Sequence, residues 1–427
     1  MLGGATLSFG GNGIFTSYAG TITGTGNVTK TGAGTFTVSG ISDYIGQTNL
    51  TGGTLALGAA NVLPSTTAVS LSVGTTFNLA GFAQTIGSLQ GSGALSLGAA
   101  TFTIGTNDAD TTFSGAITGN GNIIKTGNGV QTLSGTNSFS GGVTILGSAL
   151  SVNNESRLGT NTTVILNGGA LAANADLTLT KGLSLGVDGG TLDTTTSNVT
   201  FSGSLSGSAT TLTKAGTGTL TITTTDAAFS SELSIDEGRV VVNGALTSMP
   251  VTVNDGGTLR GTGTVGVTSV LDGGTIAPGA GIGRINTAAL TMSVGSALSI
   301  ELGGTVAGTS YDQVSTAGAL TLGGVPSITL ANGFFPIVGN RFFVMLNDAN
   351  DNISGTFDSL AEGSTFSASG ITYAVSYVAN GDGGSRSNDV SFTVTAVPEP
   401  AASLQILAGL SLVLALGRRR HLPNRAA

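Results

Sequence analysis

The sequence predicts an all-β fold in which short strands stack as the coils of a parallel β-solenoid. A β-rich C-terminal cap region and one C-terminal transmembrane helix complete it, and an antiparallel β-sandwich is the runner-up. Three observations carry this reading. Glycine supplies 71 of 427 residues and charged residues only 8%, against the usual ~7% and ~25%. Many segments alternate apolar and hydroxyl side chains with a period of two, the pattern of a half-buried strand. The same glycine-rich wording also returns three times along the chain, which is the signature of a repeat architecture.

The repeats occupy residues 1–265. Tyr18-Ala-Gly-Thr-Ile-Thr-Gly24 returns as Phe113-Ser-Gly-Ala-Ile-Thr-Gly119 and as Phe201-Ser-Gly-Ser-Leu-Ser-Gly207. Each copy leads to a second motif, Lys30-Thr-Gly-Ala-Gly-Thr35, Lys125-Thr-Gly-Asn-Gly-Val130 and Lys214-Ala-Gly-Thr-Gly-Thr219, with lysines 95 and 89 residues apart. Alternating segments follow: Phe36-Thr-Val-Ser39, Gln131-Thr-Leu-Ser134 and Leu220-Thr-Ile-Thr223. The first copy continues with Tyr44-Ile-Gly-Gln-Thr48 and Gly52-Gly-Thr-Leu55. The second has Ser138-Phe-Ser-Gly-Gly142 and Ser148-Ala-Leu150, and the third Ala227-Ala-Phe-Ser230.

This wording resembles the autotransporter-associated β-strand repeat, in three copies over about 18–71, 113–171 and 201–263. The resemblance implies an exported passenger region folded as a right-handed parallel β-helix. It implies passenger architecture only, because no long terminal set of alternating, aromatic-girdled strands is present to form an outer-membrane barrel. Physical reasoning reaches a solenoid independently: half-buried strands cannot stand alone but stack well with Val, Ile, Leu and Phe inward. At about 20 to 25 residues per coil, each repeat spacing holds about four coils. Asn167-Gly168, Asp188-Gly-Gly190, Asp255-Gly-Gly257 and Asp272-Gly-Gly274 also have a hairpin reading, which keeps the antiparallel sandwich open.

Residues 266–396 change wording. Gly273-Gly-Thr-Ile-Ala-Pro-Gly279, Leu298-Ser-Ile-Glu-Leu-Gly-Gly304, Phe334-Phe-Pro-Ile-Val-Gly339, Phe342-Phe-Val-Met-Leu346 and Asn388-Asp-Val-Ser-Phe392 follow in series, and aromatics are denser in this region than in the repeats. The series resembles the closing part of PEP-CTERM and autotransporter passenger proteins. It reads as a β-rich cap over the solenoid end, an edge that would otherwise invite aggregation.

Residues 397–427 form the tail. Val397-Pro398-Glu399-Pro400 precedes an apolar run over 401–417, and Arg418, Arg419 and Arg420 follow. Seventeen helical residues span roughly 25 Å, close to the roughly 30 Å bilayer core, and the arginines make a charged stop. The two prolines hold the preceding backbone extended. Together these residues resemble the PEP-CTERM sorting signal. That resemblance implies an exosortase-type sorting enzyme as partner, transient inner-membrane anchoring through 401–417, and a final place on the outer surface or in the extracellular matrix. A plain, unprocessed membrane anchor is the alternative. Met1-Leu2-Gly3-Gly4 runs straight into strand-like sequence without an export segment. Expectation is therefore divided between a sequence that begins inside a longer protein and a non-functional fragment with an inert tail.

Composition narrows the chemistry. Cysteine is absent, so no disulfide can form. Formal charge is −8; without the four tail arginines, 10 basic residues face 22 acidic ones, a charge of −12. So acidic a chain, with four lysines, makes nucleic acid an improbable partner. The one histidine, His421, lies behind the apolar run, which removes a Ser-His-Asp site from the remainder. The remaining acidic candidates are Asp108 with Asp110, Asp236 with Glu237, and Asp348 with Asp351, each read more readily as a solvated turn residue. A polysaccharide lyase or hydrolase would need such acids clustered with Arg239 or Arg260 in one concave groove. Asn347-Asp-Ala-Asn-Asp-Asn352 and Gly381-Asp-Gly-Gly-Ser-Arg386 are oxygen-rich but lack the full spacing of a calcium loop. No catalytic, cofactor or metal residue is assigned. Lys30, Lys125 and Lys214 read as turn residues that cover apolar surface with their stems, with a row facing anionic polymers as the alternative. The expected role is that of a non-enzymatic surface or matrix protein, structural or adhesive, whose polar face makes weak multivalent contact with matrix polysaccharide.

Overall fold

The computed structural model describes residues 1–14, 16–207, 210–347, 351–383 and 387–398. The expected helix over 401–417 and its arginines lie outside them. Among the described residues no helix is long and apolar enough to cross a membrane.

The described chain is a parallel β-solenoid. Its spine is a seventeen-stranded sheet that begins at Leu7–Phe9 and ends at Ile353–Gly355. One coil separates neighbouring strands in it: Val28 pairs with Thr48, Thr48 with Val69, and Ala149 with Ala170. A coil therefore takes about 20 residues over most of the stack. It shortens to 17 between Val251 and Thr268 and lengthens to 33 between Leu320 and Ile353. Two further faces complete each coil. A six-stranded sheet forms the second face from Thr16–Tyr18 to Ile117–Thr118, and an eight-stranded one resumes it from Leu177–Leu179. A seven-stranded sheet from Gln84–Ile86 to Leu205–Ser206 forms the third face, which resumes at Ala245–Leu246.

The antiparallel sandwich is therefore excluded. Asn167-Gly168 and the three Asp-Gly-Gly sequences sit at corners, with Gly168, Gly189, Gly256 and Gly273 at positive φ. Each corner turns the chain onto the next face instead of back along its own strand. The strand that follows then finds its partner one coil away.

Alternation decides what is inside. Along Val69, Leu71, Phe77, Ile86, Leu89 and Leu95 the inward side chains are fully buried, and one continuous apolar cluster fills the solenoid from Val38 to Val394. In-register stacking repeats the same contact coil after coil; Leu171, Leu192 and Leu150 stand in neighbouring rungs of one inward column.

Parallel pairing continues beyond residue 265, through Ala297–Leu302 with Val325–Leu330 and Leu320–Leu322 with Ile353–Gly355. The more aromatic wording there accompanies longer strands and wider coils. Apart from isolated bridges such as Gly261 with Gly279, antiparallel pairing of strands begins at Arg341–Asn347, which joins Asp389–Ala396, then Ile371–Ala379 and Thr365–Ala368. Phe357, Phe366, Tyr373, Tyr377 and Phe392 pack together beneath these strands. The Tyr377 hydroxyl accepts from the Phe357 amide and donates to the Leu360 carbonyl.

Candidate functional site

The three repeats share one local construction. In the first, Val28–Lys30 turns through a glycine corner into Thr35–Val38, a loop follows, and Thr48–Leu50 with Thr54–Leu57 stack on the first pair. Asn122–Lys125 and Gln131–Leu133 are stacked in the same way by Val143–Ile145 and Ala149–Val152. Thr211–Ala215 and Thr219–Ile222 are stacked by Glu232–Ile235 and Gly238–Val242. Each intervening loop runs where a strand would otherwise lie and buries one aromatic: Tyr44, Phe139 or Phe229.

The lysines are inside, which corrects the expectation of surface turn residues and of a row facing a polymer. Lys30, Lys125 and Lys214 are at most 1% exposed. Alternation puts them there: Val28, Ile123 and Leu212 are inward, so the residue two further on is inward too. Their stems continue the apolar columns, with Lys125 between Ile104 and Ile145 and Lys214 between Leu192 and Ile235. Each ammonium then finds carbonyls at the corner. Lys30 Nζ donates to Thr31, Gly32 and Gly52 oxygens at 2.6, 2.8 and 3.0 Å. Lys125 Nζ reaches Thr126, Gly127 and Gly147 at 2.7, 3.3 and 3.4 Å. Lys214 Nζ reaches Ala215, Gly216 and Glu237 at 3.0, 2.6 and 3.0 Å. In every case two carbonyls belong to the lysine's own corner and the third to the corner of the next coil. The lysine is thus a clamp between coils. Burial pushes all three amines down from the ordinary lysine range, Lys214 to about 8. Lys181, the fourth lysine, is also buried, with Nζ donating to the Asn161 carbonyl.

Lys30 and Lys214 stand in the long sheet, whereas Lys125 stands in the third face. The middle repeat is therefore one face out of step. Unequal spacings of 95 and 89 residues follow from that shift, since the repeat encodes a stacked corner and not a fixed side of the solenoid.

The acidic candidates do not converge. Asp108 accepts from the Asn128 amide at 2.7 Å and Asp110 from the Val130 amide at 2.7 Å. Both tie one corner to the next coil. Asp236 accepts from Ser234 Oγ at 2.6 Å and Asn254 Nδ2 at 2.7 Å, while Glu237 lends its backbone carbonyl to Lys214. Asp348 lies outside the described residues, and the Asp351 carbonyl accepts from Asn347 and Asn388 side chains. Among the described residues no three His, Cys, Asp or Glu side chains gather as metal ligands. The two oxygen-rich segments, 347–352 and 381–386, are only partly described.

Two buried acids escaped sequence reasoning. Asp312 accepts from the Gly283 and Glu301 amides, both at 2.8 Å, and burial pushes its carboxyl up to about 7 against the pull of those bonds. Asp389 accepts from the Asn347 amide at 2.9 Å and from Gly381. Asp312 follows Tyr311 in an otherwise polar stretch, and nothing in its wording separates it from a turn aspartate.

Two outward surfaces are polar and concave. On the long sheet, Ser70, Gln90, Asp110, Thr112 and Thr132 border a groove. On the second face, Thr219, Thr221, Arg239, Asn243 and Arg260 border another. No acid is among the residues bordering the latter, although Arg260 pairs at 3.3 Å with Glu301 on the outer side of the same sheet, two strands along. Of the tail residues, Val397 and Pro398 follow the strand Asp389–Ala396 and are exposed; Glu399, Pro400, Arg418, Arg419 and Arg420 lie outside the described residues.

Residues 28–57, 123–152 and 212–242 match the passenger-associated-transport-repeat. Each matched segment is one clamp, its glycine corner, the aromatic loop and the stacked second corner. The match falls inside each of the three copies expected from the sequence. Comparison with curated proteins finds no match. The repeats and the solenoid fit a surface or autotransporter-like passenger domain, and such repeats point to a cell-surface or extracellular location.

Proposed function

We propose that this protein is an exported structural or adhesive component of the cell surface or extracellular matrix, delivered by an exosortase-type system and without catalytic activity. The observation that carries the proposal is the coincidence of three passenger-associated repeats with three clamped double corners in one continuous solenoid. Val397, Pro398, Glu399, Pro400, the apolar run 401–417 and Arg418, Arg419 and Arg420 supply the sorting signal in this reading. Its first two residues leave an exposed strand end, where a processing enzyme has access. Transient anchoring of 401–417 in the inner membrane precedes release.

Matrix polysaccharide is the proposed contact. Asn49, Ser70, Gln90, Thr112 and Thr132 succeed one another on the outer side of the long sheet, a periodic polar row suited to weak repeated hydrogen bonding. Asp108, Asp110 and Asp236 hold backbone and side-chain donors at corners, which favours a scaffold over a hydrolase. Surface delivery is tested by replacing Pro398 and Pro400 with alanine in the source cell and following the protein by surface labelling. Retention in the membrane fraction is the expected result; unchanged surface display would remove the sorting signal from the account.

A further inference from the structure

We infer that the groove between Arg239 and Arg260 is a binding site for a uronate-bearing polysaccharide, held by its carboxylate. Arg239 opposes Thr258, and Arg260 opposes Val241, on the adjacent strands Gly238–Val242 and Gly257–Gly261. Their neighbours Val240 and Leu259 point inward and are fully buried, so both arginines point outward. Strand spacing and rise put their Cα atoms roughly 8 Å apart on a diagonal. Two guanidinium groups so placed repel one another unless an anion lies between them.

The protein supplies only part of that anion. Arg260 gives Nη2 to Glu301 at 3.3 Å and Nε to the Gly279 carbonyl at 3.0 Å, while its Nη1 has no partner among the described residues. Arg239 is exposed, and its side chain has no hydrogen-bond or ion-pair partner among the described residues. The lysines differ, since all four are buried against backbone carbonyls. An acidic chain has placed an exposed, unpaired arginine beside a half-buried, ion-paired one.

The rest of the groove selects the ligand class. Thr219 and Thr221 on the strand Thr219–Ile222 lie opposite Arg239 and Val241, and Asn243 closes one end. Hydroxyl and amide groups at these places pair with sugar hydroxyls, while the planar guanidinium fork matches a planar carboxylate. No aromatic residue lines the groove, so it offers no stacking platform for a base.

This inference draws on the surface-passenger reading for the setting in which such a polysaccharide is met, but the site itself rests on the groove. The test is isothermal titration of the purified full chain at low salt with hexagalacturonate, a neutral dextran oligomer and inorganic sulfate. Hexagalacturonate is expected to bind, dextran not to, and sulfate to bind more weakly. Arg239→Gln should weaken hexagalacturonate about tenfold, the loss of one charge-assisted contact, with an unchanged melting temperature. Arg157→Gln, outside the groove, should bind as the parent does. Absent hexagalacturonate binding, or equal binding by Arg239→Gln, overturns the site. Sulfate binding as tight as hexagalacturonate reduces it to a bare anion site and overturns the sugar assignment. A protein that binds hexagalacturonate yet is retained inside the source cell keeps the groove and loses the surface reading.

Discussion

An ammonium group inside an apolar stack survives only where the backbone supplies acceptors, and the glycine corners do so for Lys30, Lys125 and Lys214. Removing the amine leaves up to three partly buried carbonyls without their donor, a loss of about 1–3 kcal/mol. Lys214→Met should therefore lower the urea midpoint at pH 7, and an unchanged midpoint would mean that the clamp bears no load. Its pH dependence has a defined sign. Burial holds the folded pKa at about 8, below the ordinary 10.5, so between these values the unfolded chain holds more protons and stability rises with pH. Lys214→Met lacks that rise. The gap between parent and variant should widen from pH 8 to pH 10, below the range where the buried phenols of Tyr44, Tyr373 and Tyr377, pushed up to about 12, reverse the trend. A gap that narrows over this interval would contradict the assignment. Sequence alternation contained this placement, since Val28-Thr29-Lys30 puts the lysine on the inward side; the preference of lysine for solvent concealed it.

At the scale of elements, the unit is the strand, glycine corner, strand and aromatic loop. Gly127 has φ +71, and a Cβ there would collide with the Gly105 carbonyl oxygen of the preceding coil. Gly32 repeats the situation at φ +66 against Gly10. Gly127→Ala should loosen this corner, seen as faster amide exchange over residues 105–147; protection equal to the parent would show that the corner tolerates a side chain. Phe139 fills the coil where no strand runs, and Phe139→Ala should destabilise by about 3–5 kcal/mol, read from denaturant unfolding. The repeat copies, their strands and the inward residues were legible because period-two alternation and glycine positions are local signals. The shift of the middle repeat by one face was not. It depends on how many residues each preceding coil consumes, a quantity summed over some ninety residues of variable loops.

At the scale of the whole molecule, the solenoid has an edge to protect. Four antiparallel strands from Arg341–Asn347 to Asp389–Ala396 extend the third face past its last parallel coil and pack on the aromatic cluster around Phe357 and Phe392, the arrangement expected of a cover. Truncation after Gly355 should expose that edge and drive association, detectable as a mass increase in light scattering; a monodisperse monomer would show that the last coils need no cover. Aromatic density marked this region in the sequence, but the parallel stack runs on well past residue 265, because longer strands and wider coils change the wording without changing the pairing. The groove of Arg239 and Arg260 was legible only as two separate arginines, since their 21-residue separation becomes a diagonal contact through coil length. The central claim, a surface passenger released by sorting, is tested most directly by the intact mass of the native protein taken from the surface fraction of its source, alongside protease shaving of whole cells. The account predicts a shaving-sensitive chain ending near residues 397–401. A chain carrying the complete tail, protected inside intact cells and absent from the surface fraction, would contradict it.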